Sequence, residues 1–276
     1  MQLDLSLFSS RLQSLFRLVR PIKGCSNRLS AEAESPLELT RMLFSMTHDV
    51  DRLVTGVVEL LSLAQFRQDV DLLRLAFRRA CGKNPDDTFR RIVQTESSYG
   101  TSSTWSFQTK LMSLDLIHYL VDNGCEVALH VVSPEDLRLK AKLQEEYEIE
   151  ILGFRAHYHR LGHDILEVAR ELSYVYDSSL YGGTSPFRLP NGLLEIPITF
   201  EDGYLVHLYR NRNAKRLIEQ TVRQHLDDKN AVFVFNFHNN TLARKREWEL
   251  FEFVLRLGQE YGIQSTTCGK LAGGWS

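Results

Sequence analysis

The sequence predicts an α/β fold of about seven strands alternating with helices, either closed into a distorted (β/α) barrel or left as an open sheet. Three observations carry this. Short apolar runs rich in Val, Ile and Phe recur along the chain, most clearly at 126–132 and 231–237. Between them lie stretches with apolar residues at helical spacing. Turn signals such as Asn123-Gly124 punctuate the two, as a parallel sheet with helical crossovers requires.

Residues 5–19 place Leu5, Phe8, Leu12, Leu15, Phe16 and Val19 at helical spacing, and 22–36 read as a polar connector. Residues 1–36 are therefore an N-terminal helical extension and connector, and 37–276 the main domain. The extension is compatible with covering the main domain, gating a site or forming a homodimer. Leu43–Met46 opens the strands, and helices follow at 53–64, 70–79 and 88–98. Next come a strand at 103–107, a helix at 111–121 and a strand at 126–132. Ser133-Pro134-Glu135-Asp136 opens another helix: serine caps it, proline suits its first turn and acids favour its positive end. Strands at 148–154, 174–178, 193–200 and 231–237, with helices at 163–172, 214–226 and 244–261 and a short strand at 265–268, complete the pattern.

Composition excludes several classes. With 35 acidic and 33 basic residues the net charge is -2, which argues against a broad nucleic-acid footprint. No segment reaches the roughly 20 apolar residues of a membrane span. The N-terminus lacks a basic region followed by an unbroken apolar core, so no secretion signal is read there. Four cysteines, at 25, 81, 125 and 268, show no metal or redox spacing, which fits a reducing compartment and predicts a cytoplasmic location.

Polar groups gather where strands end. The first strand runs into THDVD, with His48, Asp49 and Asp51. The strand at 126–132 carries His130; GFRAHYHR carries Arg155, His157 and His159; the strand at 231–237 runs into His238 and Asn239. In a (β/α) barrel such ends converge on one face. Two carboxylates at i and i+2 can divide their roles, one on a metal and the other on a reacting group. Histidine with carboxylate suits zinc or a harder divalent ion.

These segments resemble the NodB-type polysaccharide deacetylases (carbohydrate esterase family 4), and more closely a divergent bacterial branch whose first motif reads THDVD. The markers are THDVD at 47–51, NPDDTF…YGTSSTWSF at 84–107, LHVV at 129–132, GFRAHYHR at 153–160, YDSSLYGGTSPF at 176–187, LLEIPITFED at 193–202 and FNFHNNT at 235–241. The resemblance implies a NodB-like barrel and a metal-dependent deacetylase acting on an N-acetylated sugar. It implies Asp49 as general base, Asp51 and His130 as metal ligands, Arg155 as the group orienting the base, and His238 as general acid. Zinc is the implied metal, with cobalt or nickel as alternatives.

One departure stands out. Four residues beyond His130, where the family's usual HxxxH motif has its second histidine, stands Pro134, which cannot bind a metal. His157 replaces it in this reading; His159 shares its face and replaces it instead if the chain is still extended there. Asp202 is the expected partner orienting His238, with Glu201 and Asp177 as alternatives. Tyr181-Gly182-Gly183-Thr184 and Trp105 fit either a sugar site or the core. An intracellular location favours a nucleotide- or lipid-linked sugar over a finished polymer. Two rivals stand beside the deacetylase: a degenerate carbohydrate-binding or scaffolding domain, and a metal-dependent hydrolase of another C–N bond.

Overall fold

A computed structural model describes residues 42–50, 86–208, 211–239, 241–242 and 245–275. The expected N-terminal extension, the helices at 53–64 and 70–79, and Asp51 lie outside the described residues.

The described strands form one curled sheet. They are β1 (Leu43–Val50), β2 (Ser103–Phe107), β3 (Glu126–Val131), β4 (Gly153–Ala156), β5 (Tyr176–Asp177), β6 (Phe187–Arg188), β7 (Leu194–Glu195), β8 (Phe200–Glu201), β9 (Val232–His238) and β10 (Gln264–Ser265). Their order is β6-β7-β5-β4-β3-β2-β1-β9-β8, with β10 beside the start of β1; all pairs are parallel except β6–β7. Backbone bonds from Ile198 N–H to Leu180 and from Gly182 N–H to Ile198 stitch the loops near the two sheet ends together. This is the distorted (β/α) barrel architecture expected from sequence.

The helices are α1 (Asp86–Ser98), α2 (Leu114–Asp122), α3 (Pro134–Arg138), α4 (Lys140–Tyr147), α5 (His163–Glu171), α6 (Asp202–Leu208), α7 (Asn211–Gln224), α8 (Lys245–Glu260) and α9 (Cys268–Gly274). The sheet alternates with period two between two buried faces. Phe44, Met46 and Val50 of β1, with Phe233, Phe235 and Phe237 of β9, join the helix-side core. Leu43, Val232 and Val234 face inward with Tyr176, Leu194, Ile196 and Ile198.

Several boundaries differ from the sequence reading. The run 193–200 is two short strands, because Pro197 offers no amide hydrogen to a ladder. The run 148–154 keeps only its last residues as β4, and 174–178 only Tyr176–Asp177. Counting these fragments, the described strands number ten against the expected seven or so. At Gly153 an added Cβ would lie 2.1 Å from the Tyr176 ring, so glycine there is what admits the ring to the interior. Trp105 is fully buried against Phe89 and His48 on the helix side of β2, so it is core and shapes no sugar site.

Candidate functional site

The last inward positions of β1, β3, β4 and β9 are Asp49, His130, Arg155 and His238, and all four arrive at the same end of the sheet. Two parallel registers fix this: Asp49 lies opposite His238, and His130 opposite Arg155. His48 points the other way, with its ring nitrogens on the Phe237 carbonyl and on Glu96, 2.7 Å away. It therefore stands outside the site.

Asp49 is buried and tightly held. Arg155 Nη1 donates to its Oδ1 at 2.8 Å, and Asn236 Nδ2 donates to its Oδ2 at 2.9 Å. The same Nη1 donates to Asn236 Oδ1 at 2.7 Å and to Thr47 Oγ1 at 3.0 Å. The rest of the guanidinium is fixed by Ser178, whose carbonyl accepts from Nε at 2.6 Å and whose hydroxyl accepts from Nη2 at 2.9 Å. Burial alone would raise the Asp49 pKa; the charges of Arg155, then His130 and His238, overcome it and hold the carboxyl well below the usual range. Asp49 is therefore held as a carboxylate.

His130 lies on the other side, Nδ1 3.8 Å from Asp49 Oδ1 and Nε2 2.7 Å from His157 Nδ1. His157 opens a tight turn in which Tyr158 (φ 54°) and His159 (φ 57°) are both left-handed, a costly conformation for residues with side chains. The chain is thus no longer extended at His159, and the shared face expected from strand alternation is lost. His159 turns instead to the Ser179 carbonyl (2.8 Å) and Glu201 (3.1 Å), which occupies both ring nitrogens.

Two imidazole nitrogens, His130 Nε2 and His157 Nδ1, meet from adjacent strand ends, a donor type that suits zinc. His130 and His157 fit the implied metal on this geometry, whereas Asp51 enters on sequence alone.

His238 closes the site. Its Nδ1 is 2.8 Å from Asp202 Oδ1, and Asp202 Oδ2 accepts from the His238 amide at 3.0 Å and from the Thr241 hydroxyl. Asp202, at the start of α6, rather than Glu201 or Asp177, is the partner on this ring nitrogen. Nε2 faces the interior, 4.0 Å from Asp49 Oδ2 and 3.8 Å from Glu201 Oε1. Burial would lower the His238 pKa, but Asp202, Asp49 and Glu201 together push it up to about 10. The ring is therefore an imidazolium at neutral pH. Glu201, Asp202 and His238 also lie close enough to hold a cation. Both Asp202 oxygens already accept hydrogen bonds, Oδ1 additionally from the Gly203 amide at 2.6 Å.

Asn236, Thr47 and Ser178 were not among the residues expected from sequence. Thr47 precedes Asp49 by two and Asn236 precedes His238 by two, so strand period alone would have placed them on the same face. Ser178 closes the expected strand 174–178 and reaches Arg155 from just beyond the observed β5.

No protein-family model and no curated protein matches the chain. Solved structures do. One is described as a candidate polysaccharide deacetylase from Mycobacterium smegmatis: 17% identity, TM-score 0.62, covering 89% of this chain and 93% of the other. The PuuE allantoinase is similar at 14% identity and TM-score 0.66, covering 87% and 91%. A carbohydrate esterase family 4 pseudoenzyme from Bacillus anthracis matches at 11% identity and TM-score 0.50, covering 85% of this chain and 66% of its own. The fold is that of the NodB-type polysaccharide deacetylases.

Proposed function

We propose, from the premise of a NodB-type deacetylase fold, that this chain is a metal-dependent deacetylase hydrolysing an N-acetyl group on a sugar or sugar-containing precursor. The observation that carries the reading is one ionised carboxylate and one imidazolium facing the same space: Asp49, held by Arg155, and His238, held by Asp202, 4.0 Å apart at their nearest atoms. Amide hydrolysis needs both, a base for the attacking water and an acid for the departing amine.

Asp49 takes the proton from water. Arg155 and Asn236 fix the direction of its lone pairs and keep it unprotonated beforehand. His238 Nε2 delivers a proton to the amine nitrogen, and Asp202 stabilises the imidazolium until then and fixes its tautomer afterwards. Asp51, His130 and His157 would hold a divalent ion, zinc first. Such an ion supplies Lewis acidity, polarising an acetamido carbonyl and acidifying water for a base as weak as Asp49.

The described cysteines, Cys125 and Cys268, are buried and not disulfide-bonded, which supports a reducing, cytoplasmic setting. Within the described residues no helix is long and apolar enough to cross a membrane. A nucleotide- or lipid-linked N-acetyl sugar is the substrate class this reading favours.

The test is acetate release by zinc-loaded protein from a nucleotide-linked N-acetylhexosamine and from chitooligosaccharides. Zinc-dependent release that Asp49→Asn abolishes is the expected result. A metal-loaded protein that releases no acetate from any N-acetyl sugar contradicts the reading. It would turn attention to other C–N bonds, the reading that the fold shared with an allantoinase favours.

A further inference from the structure

Behind the site lies a pair of acids that the hydrolysis does not use. Asp177 ends β5 and Glu195 ends β7, and they are register partners in the parallel ladder. Both are fully buried. Asp177 Oδ1 accepts from Ser179 Oγ at 2.5 Å, and Glu195 Oε1 accepts from the Leu180 amide at 2.9 Å. Their other oxygens, Asp177 Oδ2 and Glu195 Oε2, receive no donor from the described residues, while the two side chains stand within hydrogen-bonding range of each other.

Two ionised carboxylates cannot sit side by side in a buried position without a large repulsion. One proton between them removes the repulsion and satisfies both orphaned oxygens, since a neutral carboxyl donates and an ionised one accepts. The outward-facing oxygens then clamp the Ser178–Leu180 segment. That segment carries two of the acceptors of Arg155, the ones on Nε and Nη2: the Ser178 carbonyl and the Ser178 hydroxyl. Ser179 Oγ also accepts from the Ala156 amide at 2.7 Å, tying the clamp to the residue after Arg155.

We infer that Glu195 and Asp177 share a single proton and act as positioning residues, holding the Ser178–Leu180 segment that aims Arg155 at Asp49. Burial raises both carboxyls, and the neighbouring Asp177 charge raises Glu195 further, as one proton held by the pair requires. The positioning role rests on Asp49 being the base of the proposed hydrolysis; the shared proton does not.

Infrared spectroscopy of the full chain tests the proton directly. At neutral pH the wild type should show the carbonyl stretch of a buried protonated carboxyl, shifted by deuterium exchange and lost in Glu195→Gln. Absence of that band in the wild type overturns the shared proton. Glu195→Gln tests the clamp, because its amide can still donate to Asp177 and its carbonyl can still accept from Leu180. It should keep kcat within a few-fold, whereas Glu195→Ala should lower kcat by about tenfold or more with KM little changed. The Arg155 Nε–H resonance should hold its position in Glu195→Gln and move in Glu195→Ala. An unmoved resonance in folded Glu195→Ala overturns the positioning role. Should Glu195→Ala not fold, Ser179→Ala replaces it, because it removes the hydroxyl that joins Asp177 to the Ser178–Leu180 segment and to the Ala156 amide, and the Arg155 Nε–H resonance should move. An unmoved resonance in that variant overturns the positioning role. Wild-type protein inert on every N-acetyl sugar defeats the proposed reaction, yet the infrared and resonance readouts still decide this inference.

Discussion

Asp49 is a buried carboxyl and Glu126 a half-buried one; both occupy inward-facing strand positions, at opposite ends of the sheet, and their surroundings are opposite. Glu126, the first residue of β3, accepts from the Tyr176 hydroxyl (2.8 Å), the Thr104 hydroxyl (2.8 Å) and the Gly269 amide (2.7 Å). These donors are neutral and only partly offset burial, so its pKa is raised. Asp49 has a guanidinium within 2.8 Å and two histidines within 4.0 Å, and is held ionised. Neutral donors around Glu126 complete a structural joint that fastens α9 to the sheet. The Arg155 guanidinium keeps Asp49 charged beside the half-buried His238 ring. Burial of a carboxyl is thus no sign of function; the charge of its partners separates the two ends.

The strongest way to break this comparison is to neutralise the charge at the upper end. Asp49→Asn should reduce acetate release by about 10³-fold, measured as kcat, in a protein whose circular dichroism stays that of the wild type. Removing the cation instead attacks stability. Arg155→Met leaves Asp49 buried without its main partner and should cost about 3 kcal/mol or more in urea unfolding.

The carboxyl pair behind the site sharpens the contrast through pH. Glu195 has a folded-state pKa raised above its ordinary 4.5. Its stabilisation is therefore complete below that value and is lost as pH rises, because the unfolded chain releases a proton that the folded chain keeps. Relative to Glu195→Gln, wild-type stability should fall by up to about 1.4 kcal/mol per pH unit between about pH 5 and about pH 9. Thermal unfolding of the two proteins across that range checks the sign. The smallest effect belongs to the lower end: Glu126→Gln should cost about 1 kcal/mol and leave kcat unchanged, since it disturbs hydrogen bonds without an ion pair.

Much of this was legible in sequence wherever a strand was long. β1, β3 and β9 are largely apolar runs of six to eight residues, and each delivers a polar residue to the site at or near its end. The two-residue strands β5 to β8 were less legible, because side chains and turns hold them as much as ladders do. Thr199 Oγ1, for example, accepts the Val234 amide at 3.1 Å and donates to the Gly183 carbonyl at 2.8 Å. α9 escaped because Cys268–Gly274 is rich in glycine and weak in helix propensity; Thr267 caps it and Glu126 anchors it. The rotation that separates His157 from His159 depends on two left-handed residues that nothing in their identity announces.

The claim that matters most is that His130 and His157 together hold a divalent ion beside Asp49. Zinc content after reconstitution, measured on the wild type, His130→Ala, His157→Ala and His159→Ala, tests it directly. About one zinc per wild-type chain, lost in His130→Ala and His157→Ala and kept in His159→Ala, is the predicted result. Equal retention in His157→Ala, or a wild type that takes up no metal at all, would contradict it.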